Sequence, residues 1–160
     1  MPDIAAVTVT LPSDLEIAMS RVFDAPRQLV FDAYTKPELL TRWLGVRKGW
    51  IFAVCEVDLR VGGLYRWVWR KNGKDMGLGG TYLEIAAPER IVCTERFDEP
   101  WAEGEALVTV TFIEAAGKTT LAITTKSESK EIRDSVLKSG ATTGVGESFD
   151  MLAGVLASEI

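Results

Sequence analysis

Glu56 and Asp58 are the carboxylates whose surroundings suggest chemistry. They alternate with Val57 toward Gly62-Gly63, and beyond the glycines Tyr65, Trp67 and Trp69 alternate in turn. Residues two apart on a strand share a face. If Gly62-Gly63 closes a two-residue hairpin, with glycine taking φ > 0 at both central positions, then Glu56, Asp58 and Arg60 join the face of the three rings. A carboxyl among indole rings loses hydration, which raises its pKa and suits it to be a general acid or a polar anchor. The opposite face carries Cys55, Val57, Leu59, Leu64, Arg66, Val68 and Arg70. The sequence leaves open which face looks inward. The aromatic face is the expectation; otherwise Val57, Leu59, Arg66 and Val68 line the interior. Tryptophan stripes also pack cores without binding anything, and Glu56 and Asp58 could equally pair with Arg60, Arg66 or Arg96.

Further aromatic residues join this set. Trp43 is expected at the rim of an internal pocket, Tyr82 and Phe149 in its wall, with Met151 beside Phe149, and Trp101 over the entrance or on the surface. Glu95 and Arg96 fall on opposite faces of one strand, so at most one of them points inward.

The chain has no histidine. That removes nucleophile activation by Ser-His-Asp or Cys-His pairs and the commonest transition-metal ligand. No metal and no cofactor are expected, and acid–base chemistry falls to Asp, Glu, Lys or Tyr. Cys55 and Cys93 read as buried small hydrophobes rather than a disulfide. The 160 residues, 47% of them apolar, suffice for one domain with a core, expected over 1–160 with 1–14 as lead-in. A net charge of −5 argues against nucleic acid and anionic membranes. No apolar run spans a bilayer, and Met1-Pro2-Asp3 lacks the layout of a signal peptide, so the expected location is the cytoplasm.

The elements that must position these residues are mostly strands. Leu15–Phe23 places Ile17, Met19, Arg21 and Phe23 on one face, after a short strand at Val7–Leu11. A helix follows Asp24-Ala25-Pro26, with Asp24 near the positive end of its dipole. Thr35-Lys36-Pro37-Glu38 reads as a capping box opening a second short helix, which Gly45 ends. Strands are expected at about 50–61, 64–71, 78–86, 91–98, 105–114 and 119–127, with Lys71-Asn72-Gly73-Lys74 as a turn. At the C-terminus, Val145, Phe149, Leu152 and Leu156 form one helical face, and Ile132 and Val136 another about 150° away. One straight helix cannot bury both. The spacing therefore predicts helices at about 130–138 and 141–158 with a break at Ser139-Gly140, where Ser139 can cap the second. Gly144 and Gly146 mark either tolerated sequence drift or the close approach of a strand or space for a ligand.

Arg21-Val22-Phe23-Asp24-Ala25-Pro26, with Val30-Phe31, Ala33-Tyr34-Thr35, Pro37 and Trp43, resembles the opening of START-like, polyketide-cyclase-type domains. The narrower likeness is to the branch named for the activator of heat-shock protein 90 ATPase homologue. It continues through Cys55–Gly63, Tyr82-Leu83-Glu84-Ile85, Pro88-Glu89-Arg90, Glu95-Arg96-Phe97-Asp98 and Ser139–Leu152, covering roughly residues 15 to 158. The resemblance implies an α+β helix-grip fold: a curved antiparallel sheet wrapped around a long C-terminal helix, with two short helices after the first strand. It also implies a cavity between sheet and helix. Binding of a small apolar or aromatic molecule is the first functional expectation. A cofactor-independent cyclase, hydratase or isomerase using Glu56 or Asp58 is the second, and a co-chaperone-like interaction module the third. A homodimer is left open.

Overall fold

The computed structural model describes residues 7–99 and 104–159. Eight antiparallel strands form one curved sheet, in the order β1-β2-β8-β7-β6-β5-β4-β3. They are β1 Thr8–Thr10, β2 Glu16–Phe23, β3 Ile51–Val57, β4 Leu64–Lys71, β5 Lys74–Ala86, β6 Arg90–Phe97, β7 Ala106–Ala115 and β8 Lys118–Lys126. Helices α1 Arg27–Thr35 and α2 Pro37–Leu40 follow β2, and α3 Lys130–Lys138 and α4 Ala141–Glu159 close the chain. This is the helix-grip α+β architecture. Alternation places Phe23, Tyr65, Trp67, Trp69, Leu78, Tyr82, Ile91, Cys93, Val108, Val110, Phe112 and Leu121 in one core with Phe149 and Leu152 of α4.

The break between α3 and α4 lies where the two apolar phases part. Gly140 takes φ +84°, which a glycine adopts freely and which ends α3. Ser139 is the C-cap of α3 and not the expected N-cap of α4, although its Oγ accepts a 3.3 Å bond from the Ala141 N–H across Gly140; Ser129 Oγ accepts from Ile132 N–H at 3.1 Å to open α3. The Asn72-Gly73 pair, both at positive φ, joins β4 to β5 as a two-residue hairpin with Lys71 opposite Lys74, so β5 begins four residues earlier than the expected 78.

The two short helices start differently from expectation. Thr35 does not cap α2: it ends α1, buried, with Oγ1 donating to the Phe31 carbonyl at 2.8 Å. Lys36 is the N-cap of α2, and Pro37 at the first helical position has no N–H to satisfy. Asp24 stands outside α1 and faces Lys118 at 3.7 Å. The first N–H of α1, from Arg27, instead donates to Glu114 Oε1 at 2.7 Å, a cap from a residue far away in sequence.

The register of β3 differs most. Gly62-Gly63 does not close a two-residue hairpin. Six residues, 58–63, link β3 to β4, and the pairs are Val57 with Tyr65, Cys55 with Trp67 and Glu56 with Arg66. Gly62 N–H donates to Tyr82 O at 2.8 Å and Tyr82 N–H to Gly63 O at 2.9 Å, so the glycines lie along β5. Relative to the expected pairing the strand is slipped by an odd number of residues, which turns every side chain to the other face. Ala53 then forms a bulge, and beyond it Phe52 returns to the ring side opposite Trp69.

Candidate functional site

Between the inner face of the sheet and helices α3 and α4 lies a cavity of about 630 Å³. Its walls are mostly apolar: Ile17 and Met19 of β2, Trp67 and Trp69 of β4, Met76 and Leu78 of β5, and Phe149 of α4 all contribute. Each comes from an alternating inward position, and α3 closes one end with Ile132 and Val136. The wall is braced by backbone contacts. Trp69 Nε1–H donates to Leu44 O at 2.8 Å, and Gly45 N–H donates to Ser148 Oγ of α4 at 2.9 Å. Gly45 holds φ +72°, and a Cβ there would collide with the Trp69 indole, so the segment after α2 lies directly on the ring.

Gly144 belongs to the cavity wall, and a Cβ there would stand 2.7 Å from an Arg47 guanidinium nitrogen. What approaches Gly144 is the end of the Arg47 side chain and not a strand. Gly146 has no such role, since its Cβ would meet only a Val7 methyl at ordinary contact distance, 3.7 Å.

The structure distributes the expected site residues unevenly. Trp67, Trp69 and Phe149 line the cavity. Trp43 does not stand at a rim: it is fully buried, its Nε1–H donates to the Ala33 carbonyl at 2.9 Å, and its ring packs against Tyr34 and Phe149. Tyr65 and Tyr82 are core residues whose rings lie 5.3 Å apart, and Tyr65 Oη donates to Thr94 O at 2.6 Å. Met151 faces outward on α4, and Trp101 lies outside the described residues.

Glu56 and Asp58 are not beside the rings. The odd slip of β3 puts Glu56 on the outer sheet face opposite Arg66, and Asp58 sits in the following loop, its carboxylate half-exposed and held by Arg60 at 2.9 Å. On the same outer face Arg66 forks onto Asp98 at 2.8 Å, which holds the Asp98 carboxyl below its ordinary pKa.

Of the three carboxyls in the cavity lining, Glu95, Glu105 and Glu128, Glu95 is the one set among the inward residues of β6. It follows Ile91 and Cys93 on the inward face of β6, with Phe97 next. The residue keeps some accessible surface because it fronts the cavity, yet burial alone pushes its pKa up from the ordinary 4.5 to about 7. Among the described residues it has no hydrogen-bond or ion-pair partner. Tyr34 stands in the same wall, and burial, then the nearby Cys93 and Glu95, keep its phenol firmly neutral. Cys55 and Cys93 are free thiols, which burial raises to about 11 and about 12. The sequence signal for Glu95 was a carboxylate in an otherwise apolar alternation of Ile91, Cys93 and Phe97; Arg96 takes the outer side.

Such an arrangement can enclose an apolar ring system, stack it on indoles and offer one carboxyl to a polar group. Among the described residues no cluster of three or more potential ligands could hold a metal ion, and no helix is long and apolar enough to cross a membrane.

Comparison with known proteins agrees with this architecture. A crystal structure of a Rhodobacter sphaeroides protein is 31% identical and superposes over 96% of this chain and 99% of its own, with a TM-score of 0.89. A Chromobacterium violaceum protein is 30% identical over 88% of this chain and 96% of its own, with a TM-score of 0.75. CalU16 from Micromonospora echinospora, at 20% identity, shares the fold over 98% of this chain and 77% of its own with a TM-score of 0.67. No curated protein sequence matches the chain. Residues 24–157 match the family described as activator of Hsp90 ATPase homolog 1-like protein, and the chain belongs to that START-like family.

Proposed function

We propose that this protein binds a small apolar or aromatic molecule in the cavity between its sheet and its C-terminal helices, and that it does so in the cytoplasm without a cofactor. The observation that carries this reading is a space of about 630 Å³ walled by Trp67, Trp69, Met76, Leu78 and Phe149. That volume falls in the range of small-molecule sites, and such walls bury most of a ligand's surface. The family's name suggests a co-chaperone role, but an internal apolar cavity serves a ligand and not a protein surface. A proton-transfer enzyme would need its carboxyl within the cavity; Glu56 and Asp58 stand outside it, so turnover would rest on Glu95.

The test is a titration with the neutral apolar fluorophore N-phenyl-1-naphthylamine, read by quenching of tryptophan emission. Trp67 and Trp69 would be in contact with the probe, so saturable one-to-one quenching is expected. Replacing Ile123 on the cavity wall by Trp fills the space and should weaken uptake by about tenfold or more, since lost contacts of roughly 1.4 kcal/mol already change affinity tenfold. Equal uptake by a folded Ile123→Trp variant would place binding elsewhere.

A further inference from the structure

Resting on the binding reading above, we infer that the molecule this cavity is built for carries a protonated amine on an aromatic or apolar body, with Glu95 as its counter-ion. The first ground is that Glu95 meets no partner among the described residues. No side-chain or backbone donor of those residues bonds to it, and partial burial in the apolar wall disfavours its charged form. A neutral hydrocarbon filling the cavity would leave that deficit in place. An ammonium removes it, because opposite charges attract strongly where water is excluded.

The second ground is the charge of the lining. Its charged residues are Glu95, Glu105, Glu128 and Arg47. Arg47, the one cation among the described lining residues, already faces Glu147 at 3.1 Å, with Lys48 on the same carboxylate at 3.7 Å, so carboxylates outnumber cations in the wall. The groups around Glu95 are neutral: Tyr34 from α1, Tyr65 from β4 and Cys93 from its own strand all hold their protons more tightly than usual through burial. An ionised Glu95 is therefore an uncompensated negative charge in an aromatic chamber.

The third ground is the rings. Trp67 and Trp69 are 6.2 Å apart in an edge-to-face arrangement and both open onto the cavity. Indole faces attract a cation as well as an apolar ring, so they reinforce the same choice as the carboxyl.

Three ligands of similar shape test this: 2-(2-naphthyl)ethylamine, 2-ethylnaphthalene and 3-(2-naphthyl)propionate, titrated near pH 8 by competition with N-phenyl-1-naphthylamine. The amine should bind at least about tenfold tighter than the hydrocarbon, and the propionate weakest. In Glu95→Gln, with folding checked by circular dichroism, the ratio of amine to hydrocarbon affinity should fall severalfold, to the smaller preference that the indole faces alone supply. Hydrocarbon binding as tight as amine binding in the parent overturns the inference. So does an amine preference left undiminished by Glu95→Gln, since the counter-ion would then be Glu105 or Glu128. Uptake of the fluorophore with no charge preference refutes this inference alone, whereas no uptake of any probe refutes the binding reading beneath it.

Discussion

Replacing Glu95 by Gln should stabilise the protein, and by an amount that depends on pH. Glu95 has a raised pKa, about 7 in the folded chain against an ordinary 4.5. Below pH 4.5 the carboxyl is protonated in both states and folding carries no penalty. Between 4.5 and 7 the folded chain still holds a proton that the unfolded chain has released, so stability falls as pH rises. Above 7 both states are ionised and the full penalty is present. A shift of this size corresponds to about 3 kcal/mol, and the part developed between pH 5 and pH 8 is about 2.5 kcal/mol. Glutamine keeps the shape and cannot ionise. Urea unfolding followed by tryptophan fluorescence should therefore show the variant more stable by about 1 kcal/mol at pH 5 and by about 3 kcal/mol at pH 8. Every other titrating group is common to both proteins and cancels in the difference. Stability profiles that run parallel across this range would show that the carboxyl is hydrated, and would refute its enclosure in the cavity.

Three further outcomes follow from packing. Phe149 is fully buried against Phe23 and Trp43 but borders the cavity on one side, so Phe149→Ala should cost about 3 kcal/mol, the lower end for such a truncation; a loss under about 1 kcal/mol would deny it a core role. Gly154 is exposed inside α4, and the methyl that alanine would add there meets nothing within 4 Å. Gly154→Ala should therefore raise stability by about 0.5–1 kcal/mol in the same urea assay, and destabilisation would contradict the helix geometry there. Burial holds the Cys55 and Cys93 thiols up at about 11 and about 12, so labelling by an aromatic disulfide at pH 8 should be slow in the folded protein and fast in urea. Rapid labelling of Cys93 before unfolding would contradict its enclosure.

Much of this was legible in the residues, and what was not has local causes. Ile132 and Val136 could not share a helical face with Phe149 and Leu152, and the chain does divide at Gly140. Alternation put Tyr65, Trp67 and Trp69 on one face, and the packing of the core turns that face inward. The position of Glu56 does not follow from alternation, because it depends on register. The six-residue link leaves no mark on the alternation of either strand, yet it sets the register that turns Glu56 outward and leaves Asp58 in the loop. The helix starts escaped for a related reason. Glu114 caps α1 from the far side of the chain, and no local pattern announces it. Trp43 sits in an apolar pattern that fits a rim or a core equally, and only the Ala33 carbonyl waiting for its N–H settles the matter. Glu95 was visible as a charge among apolar neighbours, but its partnerless state is a property of the assembled cavity.

The most direct measurement of the binding account is a methyl-resolved nuclear magnetic resonance titration of the protein with N-phenyl-1-naphthylamine. The cavity wall supplies reporters on both sides: Met76, Val108 and Ile123 from the sheet and Val145 from α4. The account predicts saturable shifts and probe-to-methyl Overhauser contacts at these four residues, with Leu64 and Leu83 on the exposed outer surface unmoved. Contacts confined to Leu64 and Leu83, or shifts that fail to saturate at one probe per chain, would contradict it.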